Sequence, residues 1–299
     1  MTASDPIDIL ILGAGWTSTF LIPLLTSHSL TYAATSRPSH PKPHTIPFEY
    51  DQNNSDPSEE DEAQFSNLPD ARTVLVTFPI SVKGASERLV RLYEKTRTGR
   101  YGNEFEGGKG KARWIQLGTT SVWDVSVGRP FRPPSSDGSV LWSDRYTPID
   151  MSHPRGAAEK ELLALSPDTQ TTVLNLSGLW GGQRAMKHYI GRVAPTKEAL
   201  KNKGSVHMIH GIDVCRAILA VHSDFDKAVG QRWLLTDGRV YDWWDLAHAW
   251  GPHPRWVQEL MLEHGVRALP RSVELLGKAL DSQDFWNTFG IQPIEGRLE

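Results

Sequence analysis

Cysteine is almost absent from this chain of 299 residues, and so are long apolar runs. The single cysteine, Cys215, excludes an internal disulfide and fits a reducing compartment. A membrane-spanning helix needs roughly 20 consecutive apolar residues, so none is predicted. Residues 1–6 lack the basic segment that is typical of a signal peptide. We therefore expect a cytoplasmic protein.

A strong excess of charge of either sign is also lacking, because the formal net charge is only −3. No basic stripe with interleaved aromatic residues is present, so we expect neither a nucleic-acid partner nor a membrane partner. The sequence has no His-Glu-x-x-His pattern, and His207 and His210 are interpreted as structural residues, so no metal site is predicted. Apolar residues make up 39% of the chain, which is enough for a substantial core.

The N-terminal segment carries the clearest motif. An apolar run at residues 7–12 ends in Gly13-Ala14-Gly15, and a helical pattern follows. This order is typical of a dinucleotide-binding turn, in which the second glycine lets a pyrophosphate approach a helix N-terminus. Ser18 stands where a third glycine is usual. We expect the cofactor phosphates to bind at Gly13, Gly15, Trp16, Thr17 and Ser18.

No aspartate or glutamate occurs between Asp8 and Glu49. NAD-specific sites usually place a carboxylate about 20 residues past the glycines, where it holds the ribose 2′-hydroxyl. Here the second apolar run ends in Ser36 and Arg37, and a guanidinium binds a phosphate bidentately. NADP(H) is therefore predicted over NAD(H), with its 2′-phosphate at Ser36 and Arg37. The alternative is that Arg37 is a solvated loop residue.

Strand-like and helical segments alternate along most of the chain. This alternation predicts an α/β fold with a doubly wound parallel sheet and a small, mostly helical C-terminal cap. Ligands of such sheets bind at the carboxyl ends of the strands, where this sequence places Gly13, Ser36, Thr77, Thr119 and Ser177. Thr77, Phe78 and Pro79 are expected to line the nicotinamide-side ribose. We also expect residues 56–62 to be solvated and residues 273–289 to be helical.

Several short motifs have an order and spacing that are specific together. They are Gly13-Ala-Gly15, Thr119-Thr-Ser-Val-Trp123, Arg155-Gly-Ala-Ala-Glu159, Leu176-Ser-Gly-Leu-Trp-Gly181 and His210-Gly-Ile-Asp-Val214. In these motifs the chain resembles the extended short-chain dehydrogenase/reductases, and among them the atypical members that are similar to nucleoside-diphosphate-sugar epimerases. The resemblance covers residues 7–250 and implies an NAD(P)-binding Rossmann fold. It also suggests a homodimer.

The resemblance implies catalysis by a serine or threonine, a tyrosine and a lysine. Thr119 matches the hydroxyl position, but Arg155 and Glu159 replace the tyrosine and lysine, and no Tyr-x-x-x-Lys occurs in the chain. Trp123 replaces a strand-end tyrosine of some members. Arginine stays protonated and is a poor general acid, although it can polarise a carbonyl or clamp an anion. Glu159 is expected to pair with Arg155 one turn away, and the alternative is a surface pair without a catalytic role.

These observations predict one extended Rossmann unit over residues 1–299. Its nucleotide-binding core would be residues 7–178 and 205–238, and its substrate-facing cap residues 179–204 and 239–299. The candidate catalytic residues are Thr119, Arg155 and Glu159. The candidate substrate-binding residues are Thr120, Trp123, Ser177 and Trp180.

Three functions follow from this interpretation. The first is an NADP(H)-dependent reductase or epimerase that acts on a small carbonyl compound or a sugar derivative. Thr119 and a loop predicted at residues 128–142 favour it. The second is a non-catalytic redox sensor or regulatory protein that binds a dinucleotide, which the missing tyrosine and lysine favour. The third is a Rossmann scaffold that no longer binds nucleotide.

Overall fold

The structure is a computed structural model that describes residues 5–97, 111–124, 142–296 and 298. The chain divides into two compact units, each with its own hydrophobic core. The first unit contains residues 1–122, 149–175 and 214–233, and the second contains residues 123–148, 176–213 and 234–299. Nearly all of the loop predicted at 128–142 lies outside the described residues.

The described residues form thirteen strands and ten α-helices. The strands are β1 (Ile7–Leu12), β2 (Tyr32–Ser36), β3 (Ile46–Pro47), β4 (Ala71–Val76), β5 (Arg113–Thr119), β6 (Trp142–Ser143), β7 (Thr171–Leu176), β8 (Gly178–Trp180), β9 (Ser205–Val206), β10 (Met208–His210), β11 (Arg232–Leu235), β12 (Tyr241–Asp242) and β13 (Ala279–Leu280). The helices are α1 (Trp16–Ser27), α2 (Glu59–Ser66), α3 (Ala85–Lys95), α4 (Pro154–Leu163), α5 (Ile190–Val193), α6 (Lys197–Lys201), α7 (Gly211–Ser223), α8 (Trp243–Trp250), α9 (Pro254–Glu263) and α10 (Gln283–Phe289).

A seven-stranded parallel sheet forms the centre of the first unit, in the order β11-β7-β5-β4-β1-β2-β3. Strand β1 pairs in parallel with both β2 and β4, so the strand order reverses beside β1. Residues Ile9 to Leu12 of β1 are fully buried, as expected for a strand covered on both faces. The predicted α/β fold is confirmed. Its topology brings the carboxyl ends of β1, β2, β4 and β5 to one edge.

The acidic segment contains a helix that the sequence analysis did not predict. Residues after Ser58 form α2, and Ser58 and Asp61 make a capping box in which each side chain bonds to the other's backbone N–H. Four acidic residues occupy the first helical turn, where their charge stabilises the helix dipole. Glu62 also pairs with Lys95 of α3 at 2.5 Å. None of residues 56–62 is buried, so the expected solvation is confirmed, and the segment is helical from Glu59.

The second unit contains three two-stranded ladders, in which β8 pairs with β10, β9 with β12 and β6 with β13. After residue 239 its regular structure is chiefly helical, in α8, α9 and α10. The single helix predicted over residues 273–289 was wrong, because Gly277 has a φ of +80° and residues 279–280 pair as β13. Only Gln283–Phe289 continues as helix. No helix of the described ranges is long and apolar enough to cross a bilayer.

His207 makes the stability of the second unit sensitive to acid. Burial, assisted by the charge of Lys278, lowers its pKa to about 4, and its Nε2 atom accepts a hydrogen bond from the Leu280 N–H at 3.0 Å. The unfolded chain protonates His207 below about pH 6.5, so stability falls as the pH falls from there towards 4. We expect a loss of roughly 2–3 kcal/mol between pH 7 and pH 4.5 from this residue.

Urea unfolding at both pH values checks this expectation. In His207→Gln, the side-chain oxygen replaces the acceptor for Leu280 but does not titrate. The variant should therefore lose less stability at pH 4.5 than the unsubstituted protein does. Equal losses in both proteins would contradict the assignment.

Candidate functional site

The turn after β1 requires glycine at its first position. Gly13 has a φ of +97°, and a Cβ atom there would lie only 2.8 Å from Thr77 Oγ1. Gly15 is different, because it is exposed and a Cβ atom would meet nothing closer than the Gly13 carbonyl oxygen at 3.9 Å. The first glycine is thus needed by the protein itself. The second leaves open space in front of the turn, which suits a close ligand.

Hydrogen bonds from the neighbouring strand ends hold this turn. The Thr77 hydroxyl after β4 donates to the Gly13 carbonyl at 2.6 Å. Thr35 of β2 accepts from the Gly13 N–H through its hydroxyl at 2.9 Å, and its carbonyl accepts from the Ala14 N–H at 2.6 Å. The motif alone did not point to Thr35. Phe78 is half-buried and Pro79 exposed at the same strand end as Thr77.

Helix α1 begins at Trp16 with no side-chain cap and no acidic residue in its first turn. Such an N-terminus leaves N–H groups and a partial positive charge for an anion. Thr17 and Ser18 are buried, and the Ser18 hydroxyl has no hydrogen-bond partner within the described ranges. The residues present therefore fit a phosphate-bearing ligand at the turn. Pro23 lies inside α1, where it removes one helical N–H.

The end of β2 supplies positive charge beside the turn. Arg37 is exposed and forms no ion pair with the described residues, whereas Ser36 is buried. The Ser36 hydroxyl lies 2.6 Å from Thr45 Oγ1 and accepts from the Lys42 N–H at 3.1 Å. The Lys42 ammonium donates to the Ala14 carbonyl in the glycine turn. Arg37 and Lys42 thus provide the local charge, and the Ser36 hydroxyl already has partners.

Thr119 ends β5 at the same edge of the sheet. Its Oγ1 atom lies 2.9 Å from Ser121 Oγ and accepts from the Ser121 N–H at 3.2 Å. Ser121 Oγ in turn lies 3.1 Å from His153 Nε2. We call Thr119, Ser121 and His153 the hydroxyl chain. Thr120, the next predicted residue, is buried.

The expected pair between Arg155 and Glu159 does not form. Glu159 is fully buried and makes an ion pair with Arg232 of β11, and it also accepts from the Asn175 side chain at 2.8 Å. Arg155 donates to the Leu117 carbonyl at 2.7 Å. Burial lowers the pKa of Arg155, and the nearby Glu159 charge opposes that shift. The prediction was wrong because helical spacing does not show which strand lies against the helix.

Gly118 explains how α4 approaches the sheet. A Cβ atom at Gly118 would lie 2.6 Å from Glu159 Oε1 and 2.9 Å from a Val173 methyl group. Asn175 also touches this position, and its side chain donates to the Thr119 carbonyl at 3.0 Å. Asn175 therefore contacts both the buried Glu159 and the strand end that carries Thr119. Sequence reasoning missed Asn175 and Arg232, whose roles come from tertiary contacts.

Three predicted substrate residues belong to the second unit. Trp123 is buried and donates through Nε1 to the Thr147 carbonyl at 2.9 Å. Trp180 is buried with its ring centre 4.5 Å from that of His210. Ser177 Oγ and Trp180 Nε1 are buried without a partner in the part of the chain that the structure describes. Their assignment to substrate binding stays a prediction.

Clusters of three His, Cys, Asp or Glu side chains that could hold a metal are absent from residues 5–97, 111–124, 142–296 and 298. Cys215 is buried, which raises the pKa of its thiol, and its Sγ lies 3.6 Å from the Thr17 carbonyl. Neither observation adds a nucleophile or a metal to the site.

No protein-family model matches the chain, and no curated protein sequence matches it. Solved structures do match. A candidate NAD-dependent epimerase/dehydratase of Methylobacillus flagellatus has a TM-score of 0.59 and 16% identity, over 98% of this chain and 95% of that one. The dTDP-glucose 4,6-dehydratase of Bacillus anthracis, solved with NAD, has a TM-score of 0.57 and 16% identity, over 96% and 92%. The UDP-N-acetylglucosamine 4-epimerase of Bacillus cereus has a TM-score of 0.56 and 10% identity, over 96% and 94%.

These neighbours share the fold of the extended short-chain dehydrogenase/reductases. The resemblance stated from the motifs is thereby confirmed at the level of the fold. At this identity the likeness does not carry a substrate or a reaction to this chain.

Proposed function

We propose that this chain binds NADP(H) at the glycine turn and acts as a reductase or epimerase on a small carbonyl compound or a sugar derivative. One observation carries the proposal. Thr77 holds Gly13 by a hydrogen bond, whereas Gly15 and the uncapped start of α1 leave open space in front of the turn. A pyrophosphate fits such a turn. Bound there, a nicotinamide dinucleotide supplies or accepts a hydride.

The preference for NADP(H) rests on the charge beside the turn. Arg37 is exposed without an ionic partner among the described residues, and the Lys42 ammonium lies on the Ala14 carbonyl. A carboxylate is missing from the sequence between Asp8 and Glu49. These features suit a 2′-phosphate and not a free 2′-hydroxyl. The Bacillus anthracis dehydratase was solved with NAD, so the proposed preference rests on the residues of this chain alone.

In this proposal Thr119 donates a hydrogen bond to the substrate oxygen. Thr77, Phe78 and Pro79 line the nicotinamide-side ribose, and Thr120 contacts the substrate. Arg155 is held on the Leu117 carbonyl and adds positive charge near the end of β5. Glu159 supports the strand end from the buried ion pair.

A second function is favoured by one specific observation. The residues at the usual tyrosine and lysine positions, Arg155 and Glu159, are engaged with a backbone carbonyl and a buried arginine. General acid catalysis typically contributes about 10²–10⁴-fold, and neither residue is suited to provide it. A non-catalytic dinucleotide-binding redox sensor is therefore the alternative.

Titration with NADPH and NADH tests the proposal, with tryptophan fluorescence as the signal because Trp16 opens α1. We expect tighter binding of NADPH and, in Arg37→Ala, a loss of about tenfold or more for NADPH only. Arg37→Lys keeps the charge but cannot bind the phosphate bidentately. Its NADPH affinity should therefore lie between those of the unsubstituted protein and Arg37→Ala. Consumption of NADPH with a panel of carbonyl compounds separates the enzyme from the sensor. Failure of both nucleotides to bind would overturn both functions.

A further inference from the structure

The hydroxyl chain of Thr119, Ser121 and His153 lies entirely within the first unit. It joins the end of β5, the turn after it and the residue before α4 through contacts of 2.9 and 3.1 Å. All three side chains are partly exposed and not sealed in the core. A polar chain at the carboxyl edge of a parallel sheet is placed where ligands of such sheets bind.

The contacts of His153 give the direction of its bond to Ser121. Its Nδ1 atom accepts from the Arg155 N–H at 3.2 Å, as the cap of α4, so Nδ1 carries a lone pair. In a neutral imidazole the proton is then on Nε2. His153 therefore donates from Nε2 to Ser121 Oγ.

The second hydrogen bond of the chain joins Ser121 to Thr119. With His153 Nε2 as a donor, Thr119 Oγ1 is the one acceptor that the described residues offer to the Ser121 hydroxyl hydrogen, so a bond from Ser121 to Thr119 would satisfy it. Thr119 Oγ1 also accepts from the Ser121 N–H. In that arrangement both lone pairs of the Thr119 hydroxyl are occupied, and its own hydrogen has no acceptor in the described part of the chain.

We propose that Ser121 and His153 are positioning residues that turn the Thr119 hydroxyl into a dedicated donor for a carbonyl oxygen of the substrate. The proposal rests on the proposed function and gives this chain a substitute for part of the missing tyrosine. A preorganised donor at a developing oxyanion is among the stronger catalytic effects. Asn175 fixes the Thr119 backbone, so the donor stands on a rigid strand end.

The neighbouring charges leave this direction intact. Hydrogen bonds from the Ser152 hydroxyl at 2.6 Å and the Ser152 N–H at 2.8 Å lower the pKa of the nearby Asp150 carboxyl and occupy that carboxylate. His153 forms no ion pair with the residues the structure describes. The His153 imidazole therefore accepts from the Arg155 N–H at Nδ1 and donates to Ser121 Oγ from Nε2.

The test uses 4-(dimethylamino)benzaldehyde, whose absorption moves to longer wavelength when its carbonyl oxygen accepts a strong hydrogen bond. We expect this shift when the aldehyde binds the protein in the presence of NADP⁺. We expect it also when the aldehyde binds the nucleotide-free protein. Thr119→Val should abolish the shift and weaken binding by about three- to tenfold, the effect of one hydrogen bond. Thr119→Ser should retain both.

Two matched variants separate the roles of His153. The side-chain oxygen of His153→Asn replaces Nδ1 and keeps the helix cap, but the residue is too short to reach Ser121. The amide of His153→Gln replaces the Nε2 donor. We expect the Asn variant to lose most of the shift without loss of stability and the Gln variant to restore it. Ser121→Ala should likewise lose most of the shift, and Ser121→Thr, which keeps a hydroxyl group, should retain it.

Two results would overturn the proposal: no shift with the unsubstituted protein, or an unchanged shift in both Ser121→Ala and His153→Asn. Either result is read separately from the nucleotide titration, which tests the proposed function alone. Should Thr119→Val unfold, Ser121→Ala and His153→Asn still decide the question, because urea unfolding reports their stability independently.

Discussion

Arg232→Met is expected to lower the free energy of unfolding by about 3–5 kcal/mol, because it leaves a buried carboxylate without its counter-charge. The Glu159 side chain is 0% exposed and that of Arg232 is 11% exposed. Methionine keeps much of the apolar length of arginine but supplies no donor. Asn175 remains as a hydrogen-bond partner of Glu159 and cannot neutralise it. Urea unfolding at pH 7 measures the change.

A matched control uses the same substitution on the surface. Arg91 pairs with Glu87 in α3 at 67% and 41% side-chain exposure, so Arg91→Met should cost about 0.5 kcal/mol or less. The double variant with Glu159→Met removes both buried charges and should regain much of the lost stability. If the double variant is as unstable as Arg232→Met, lost packing and not charge burial would explain the loss.

Local patterns were enough to predict the scaffold. The apolar runs before Gly13, Thr77 and Thr119 are strands of the sheet, as expected, because short apolar segments between turn residues suit a sheet covered on both faces. Because strands alternate with helices, the strands run parallel and their carboxyl ends lie at one edge of the sheet. The glycine turn could be predicted for the same reason, since its spacing reflects local backbone geometry.

Contacts between distant segments could not be predicted in this way. Glu159 pairs with Arg232, which lies 73 residues further along the chain, and no local spacing marks that partner. Ser121 and His153 are also far apart in sequence, at 32 residues. A histidine directly before Pro154 was the available signal, because residues before a helix-starting proline often cap the helix. That signal gives the cap but not the bond to Ser121.

The wrong prediction for the tail and the helix missed in the acidic segment have a different cause. Apolar spacing over 273–289 resembled a helix, yet Gly277 with a φ of +80° interrupts it. In the acidic segment, composition outweighed the serine that begins the capping box at Ser58. In both cases a single residue with a special backbone or capping role decided the local structure against the average of its neighbours.

Gly13→Ala is expected to lower the free energy of unfolding by about 3 kcal/mol and to abolish nucleotide binding. Two effects act together at this position. A φ of +97° is strained for any residue with a Cβ atom, and that atom would lie 2.8 Å from Thr77 Oγ1 and 3.3 Å from the Phe78 ring. Thr77 cannot move without losing its bond to the Gly13 carbonyl. The turn would therefore open and displace the start of α1.

Two further variants separate these effects from each other and from ligand contact. Gly238 has a φ of +78° with nothing within 4 Å of a Cβ atom, so Gly238→Ala reports backbone strain alone, about 1–2 kcal/mol. Gly15→Ala adds a methyl group to open space, so stability should change by about 1 kcal/mol or less. Its NADPH affinity should nevertheless fall at least about tenfold, because the methyl group occupies the space where a pyrophosphate approaches. Unchanged NADPH affinity in Gly15→Ala, measured by tryptophan fluorescence, would place the ligand away from the turn.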